Sequence, residues 1–98
     1  MDVSAERLRG LVEKGRGLLA EPRIMEHEVR TVLGLESRWL REVCGSLLEI
    51  FGNRSIAEEL KRTGPYSSVE DSPLEEGGYF ETRMRNRLKL LEKFGNRP

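Results

Sequence analysis

Arg83 and Arg87 are the residues in this chain whose spacing asks most for a chemical explanation. Four positions apart, they share one face of any helix that carries them. At about 100° per residue, the same arc holds Phe80, Met84, Leu88, Leu90, Leu91 and Phe94. A guanidinium inside an apolar arc has three uses. It reaches the rim along its aliphatic stem, pairs with a buried carboxylate, or faces an anionic ligand. The ligand alternative groups Arg83, Arg85, Arg87, Lys89, Lys93 and Arg97 as a surface for a polyanion or an acidic partner, with affinity that falls steeply with salt. The structural alternative pairs Arg83 and Arg87 with a carboxylate such as Glu36, which interrupts the apolar stripe of a long upstream helix. The structural alternative is favoured, because six basic residues without interleaved exposed aromatics make a weak nucleic-acid signature.

Other chemistry finds little support. His27 is the single histidine, and its neighbours one helical turn away, Arg23 and Thr31, supply no ligand pair. Cys44 is the single cysteine, which excludes an internal disulfide framework and a multi-cysteine zinc site. Neither Cys44 nor any serine has a histidine placed in sequence to act as its base. The paired Glu-x-x-Glu and Glu-x-x-Asp carboxylates with which helical MazG-type pyrophosphohydrolases hold magnesium do not occur. Arg23 lies too close to His27 for the arginine–histidine spacing of the helical HEPN ribonucleases. The glycine pairs Gly15/Gly17 and Gly77-Gly78 lack the strand–turn–helix setting of a phosphate loop. No catalytic activity, metal or cofactor is therefore expected.

Size and charge bound the rest. A chain of 98 residues supports one domain with a thin core, and small helical proteins often complete such cores by oligomerising. No stretch approaches the roughly 20 apolar residues of a membrane span. The first residues lack the basic start and apolar run of a secretory leader, so a cytoplasmic protein is expected. Net charge is zero but segregated. Residues 64–82 carry Glu70, Asp71, Glu75, Glu76 and Glu81 and no Lys or Arg, whereas residues 83–98 carry the six basic residues against Glu92 alone. The acidic segment could fold over the basic helix and neutralise it.

The elements that must position these residues are all helical. Ser4 caps a first helix reaching Leu19 or Ala20, weakened by Gly15 and Gly17, which mark a bend or a close neighbour. Glu21-Pro22 breaks the chain. A long helix then spans about Arg23 to Phe51, with two adjacent apolar stripes that suit several packing partners. Gly52-Asn53 ends it, and Ser55 caps a short helix to Arg62. An acidic loop covers about 64–78, where Ser72-Pro73-Leu74-Glu75 is a helix-start signal cut off by Gly77-Gly78. A basic last helix occupies about 79–94. The octet Leu47-Leu48-Glu49-Ile50-Phe51-Gly52-Asn53-Arg54 returns as Leu90-Leu91-Glu92-Lys93-Phe94-Gly95-Asn96-Arg97. The likeness fails upstream, where Cys44 would align with Arg87 and Leu40 with Arg83, so the octet reads as one helix-ending device used twice. The expected fold is an all-α bundle of three to four helices around one long central helix, in a single domain. Core or self-association falls to Trp39, Leu40, Val43, Leu47, Phe51, Phe80, Met84, Leu88, Leu91 and Phe94. The expected role is a self-associating or partner-binding interaction module, with a nucleic-acid-binding or regulatory protein as the alternative.

Overall fold

The structure is a computed structural model that describes residues 3–66 and 73–95. Four helices succeed one another: α1 (Val3–Leu19), α2 (Glu26–Phe51), α3 (Arg54–Arg62) and α4 (Pro73–Gly95), with no strand among the described residues. This is the expected all-α bundle, with α2 as its spine.

The ion pairs give the topology. α1 and α2 are antiparallel, since Arg7 meets Glu49 at 2.7 Å and Lys14 meets Glu42 at 2.8 Å. α3 doubles back along the lower half of α2, placing the Ala57 carbonyl 3.8 Å from the Cys44 thiol. α4 runs parallel to α2. Its Gly77 lies beside Val29, and its Phe94 meets Phe51 edge-on with ring centroids 6.4 Å apart. α1 runs against both, and its Arg16 reaches Glu92 at 2.6 Å.

The core is one cluster. α1 supplies Leu8, Leu11 and Val12; α2 supplies Val32, Trp39, Val43 and Leu47; α3 supplies Leu60; α4 supplies Phe80, Met84, Leu88, Leu91 and Phe94. Of the expected core residues, Leu40 is half-buried against this cluster and Phe51 is 36% exposed. The wide apolar face of α2 is thus shared among three helices of the same chain.

Glycine at 15 is a packing device. A Cβ there would stand 2.7 Å from Leu88 Cδ2 and 2.9 Å from Trp39 Cζ2, so the indole lies directly on the α1 backbone. Trp39 Nε1 donates to the Leu11 carbonyl at 2.8 Å, which satisfies the one polar atom of this buried side chain. α1 therefore passes through Gly15 without ending, and Gly17 faces open space.

Several helix boundaries differ from the sequence expectation, each for a local reason. α2 starts at Glu26 rather than Arg23, because Met25 is extended (φ −95°, ψ 152°) and donates its N–H to the Glu28 carboxylate at 2.8 Å. Arg23 instead turns back to donate to the Leu19 and Glu21 carbonyls at the end of α1. α3 starts one residue before Ser55, because Asn53 is the cap and its side chain accepts the Ser55 N–H at 2.7 Å. α4 begins at Pro73 and runs unbroken through Gly77-Gly78. Gly77 is buried, where a Cβ would touch Val29, so it admits the first turn of α2 rather than breaking α4. Residues 73–78 are accordingly helical and not loop, while Ser72, the expected cap, lies outside the described residues. Gly52 ends α2 as expected, in the left-handed region at φ 64°, with its N–H on the Leu48 carbonyl. Gly95 is the last residue of α4, and residues 96–98 lie outside the described residues.

Candidate functional site

Halfway along the bundle, α2 offers one carboxylate and α4 offers two guanidiniums. Glu36, Arg83 and Arg87 are 6%, 5% and 1% exposed. Arg83 grips the carboxylate with a two-pronged fork, Nε to Oε2 at 2.8 Å and Nη2 to Oε1 at 2.6 Å. Arg87 Nη1 adds a third bond, to Oε2 at 2.8 Å. The spacing explains the geometry, since two arginines one turn apart on α4 can flank a single carboxylate on a parallel neighbour.

Two cations against one anion leave a buried positive excess, and the α3–α4 connection answers it. Arg87 Nε donates to the Leu60 carbonyl at 3.1 Å and Nη2 to the Lys61 carbonyl at 3.3 Å. These carbonyls belong to the last turn of α3, where the helix dipole concentrates negative charge, and the Leu60 oxygen accepts the Thr63 N–H as well. Arg87 thus serves as the cap of a helix other than its own. Arg83 Nη1 donates to the Pro65 carbonyl at 2.9 Å, and Asn86 Nδ2 to the Gly64 carbonyl at 3.0 Å. Tyr66 closes the cluster. Its ring lies 5.1 Å from the Arg83 guanidinium carbon and 5.7 Å from that of Arg87, so its π face adds further negative potential. The Tyr66 hydroxyl accepts from Arg87 Nη2 at 2.5 Å and donates to the Lys61 carbonyl. Burial pushes the Arg87 guanidinium down from its ordinary pKa, and Glu36 opposes that shift. Among the described residues, no buried side-chain nitrogen or oxygen lacks a hydrogen-bond partner.

The six basic residues grouped from sequence therefore do not form one surface. Arg83 and Arg87 point inward to Glu36. Arg85 is exposed and bonded to Glu81 at 2.8 Å. Lys89 and Lys93 are exposed, and Arg97 lies outside the described residues. Within the acidic segment, residues 73–82 form the first half of that same helix rather than an arm laid over it, and Glu70 and Asp71 lie outside the described residues.

The Glu81–Arg85 pair makes a measurable prediction. The hydrogen bond from Arg85, and then its charge, hold the Glu81 carboxyl below its ordinary value. A carboxyl lowered in the folded state stabilises the fold above its unfolded pKa. That contribution disappears as pH falls through the folded pKa, and it is small here because solvent reaches the pair. Carboxylate titration by NMR should show Glu81 low in the wild type and moved up toward the ordinary glutamate position in Arg85→Ala, where the more distant Arg23, 3.9 Å away, still lowers it.

Sequence reasoning did not find Tyr66, Asn86 or the carbonyls of Leu60, Lys61, Gly64 and Pro65. Backbone oxygens carry no sequence signal. Tyr66 sits in a turn-rich stretch, and only the fold brings its ring over α4. His27 is exposed on the first turn of α2. Cys44 is buried beneath α3, and burial pushes its thiol up despite the nearby Lys61 and Arg87 charges. No group of three His, Cys, Asp or Glu residues able to hold a metal occurs among the described residues. The described helices include none long and apolar enough to cross a membrane.

The surface concavities are shallow. One of them is a groove of about 410 Å³ between α1 and α2, lined in part by Leu18, Leu35 and Trp39. Large apolar side chains are exposed at two places on α2 and its approach: Ile24 (79%) with Met25 (56%), and Leu48 (42%) with Phe51 (36%). No protein-family model matches this chain, and no curated protein or solved structure matches it either.

Proposed function

We propose that this chain is a small, non-catalytic interaction module that self-associates where α2 and α4 end together. The observation that carries this reading is the exposed Leu48–Phe51 pair. The two residues share a face of the last turn of α2, and the Phe51 ring rests edge-on against Phe94 of the core. An apolar step continuous with the core is the kind of surface that a second copy removes from water. The buried arginine cluster supports the same reading by its saturation, since its charges are used to join α2, α3 and α4. The polyanion alternative draws less support, because its two central arginines are withdrawn from the surface and a third is paired.

Sedimentation velocity from low micromolar to near-millimolar protein tests the reading. The wild type should pass from monomer to dimer, and Leu48→Glu should remain monomeric with an unchanged circular dichroism spectrum. A wild-type monomer across the whole range would overturn self-association.

A further inference from the structure

We propose that α3 and residues 63–66 form a strap that opens as one unit while α1, α2 and α4 stay folded. This inference does not depend on self-association. Its first support is how little apolar surface holds α3. Ala57 and Leu60 are buried and Ile56 is partly so, whereas α1, α2 and α4 share the rest of the core. The second is that its remaining hold on α4 is polar. Arg87 binds the Leu60 and Lys61 carbonyls, Arg83 binds that of Pro65, and Asn86 binds that of Gly64. Water replaces each of these bonds on opening, so each contributes only a fraction of its gross strength. The third is that the remaining helices do not need α3 to be complete. Gly52 closes α2 through its own N–H to the Leu48 carbonyl. α1 is joined to α2 and α4 by ion pairs and packing in which α3 takes no part. Elements with few buried apolar contacts open below the global unfolding free energy. Opening bares Cys44, which the Ala57 carbonyl covers. It also bares the Glu36–Arg83–Arg87 cluster, and so converts a closed core feature into a conditional charged surface.

The test combines labelling of Cys44 by an aromatic disulfide with amide hydrogen exchange, both over a range of low urea concentrations. Cys44 and the amides of residues 56–62 should report one opening equilibrium, with a weaker urea dependence than exchange in α1 and α4. Leu60→Ala should raise Cys44 labelling roughly 30-fold or more. If that variant does not fold, Ile56→Ala should raise it less steeply. Leu91→Ala weakens the α1–α4 core, which stays formed in the open state. It should speed exchange in α1 and α4 while leaving Cys44 labelling within about twofold of wild type. Cys44 and α3 amides that share the full urea dependence of global unfolding would overturn the strap. So would Cys44 labelling that rises with Leu91→Ala in parallel with exchange in α1.

Discussion

Exchanging Glu36 for glutamine is expected to cost about 3–5 kcal/mol of unfolding free energy, the range for a buried ion pair that loses one partner. The carboxylate accepts three bonds from two guanidiniums. Glutamine keeps one acceptor oxygen and turns an NH2 group toward donors, so at least one arginine N–H faces another donor. The two cations, one turn apart and almost fully buried, then repel each other without an anion between them. By contrast, Arg85→Gln breaks a solvent-exposed pair and should leave the unfolding free energy nearly unchanged.

Replacing all three cluster members by methionine or leucine is the informative control. In a simple buried triad that exchange is often neutral or stabilising. Here the gain should be offset, because the exchange also strips the Arg83 donor from the Pro65 carbonyl, while the Leu60 and Lys61 carbonyls lose one donor each and keep the Thr63 N–H and the Tyr66 hydroxyl. A carbonyl such as that of Pro65, left without a partner, costs about 1–3 kcal/mol. Urea unfolding followed by fluorescence of the single tryptophan, Trp39, measures all three variants. A Glu36→Gln loss below about 1 kcal/mol would mean that solvent already reaches the cluster and screens it.

How much of this was legible in the sequence depends on what kind of interaction was being read. Periodicity carried the apolar residues, because burial of a helix face obeys a fixed angular repeat. Val43, Leu47, Phe80, Met84, Leu88, Leu91 and Phe94 all lie in the core. The anomaly of Arg83 and Arg87 was also legible, as a charge at an angle reserved for apolar side chains, and Glu36 was visible as the matching interruption in α2. The reason for two arginines against one glutamate was not legible. It lies in the carbonyls at the end of α3 and in the ring of Tyr66, which only the tertiary arrangement brings together.

The glycines show the same limit. Gly77 inside α4 has the local signature of a break, yet tertiary packing against Val29 keeps the helix continuous. The repeated octet was legible as a helix-ending signal at Gly52. Its consequence was hidden until α2 and α4 proved to be parallel, which sets the two equivalent phenylalanines, Phe51 and Phe94, against each other.

Truncating Trp39 to alanine is expected to cost about 3–5 kcal/mol, as large-to-small changes of buried aromatics do. Its dependence on Gly15 gives a sharper test than its size. Trp39 is 4% exposed and lies on the α1 backbone at a glycine. Adding a methyl group at position 15 forces contacts of 2.7 Å with Leu88 and 2.9 Å with the indole. The Leu88 methyl is the free end of a side chain and can rotate, whereas the indole is rigid and tethered by its bond to the Leu11 carbonyl. Gly15→Ala should therefore destabilise by about 1–3 kcal/mol through overpacking. This loss must also outweigh the gain of up to about 1 kcal/mol that alanine brings to a helix interior. Two residues on, at Gly17, nothing lies within reach of a new Cβ, so Gly17→Ala should show that gain undiluted and stabilise the fold. Trp39→Phe removes the ring atoms nearest Gly15 and the tether together. In that background Gly15→Ala should cost less than in the wild type, with a coupling of about 0.5–3 kcal/mol. Chemical denaturation of the four-member cycle, read by far-UV circular dichroism because the tryptophan is absent from half of it, gives this coupling directly. Additive losses would show that Leu88 alone limits the space at position 15.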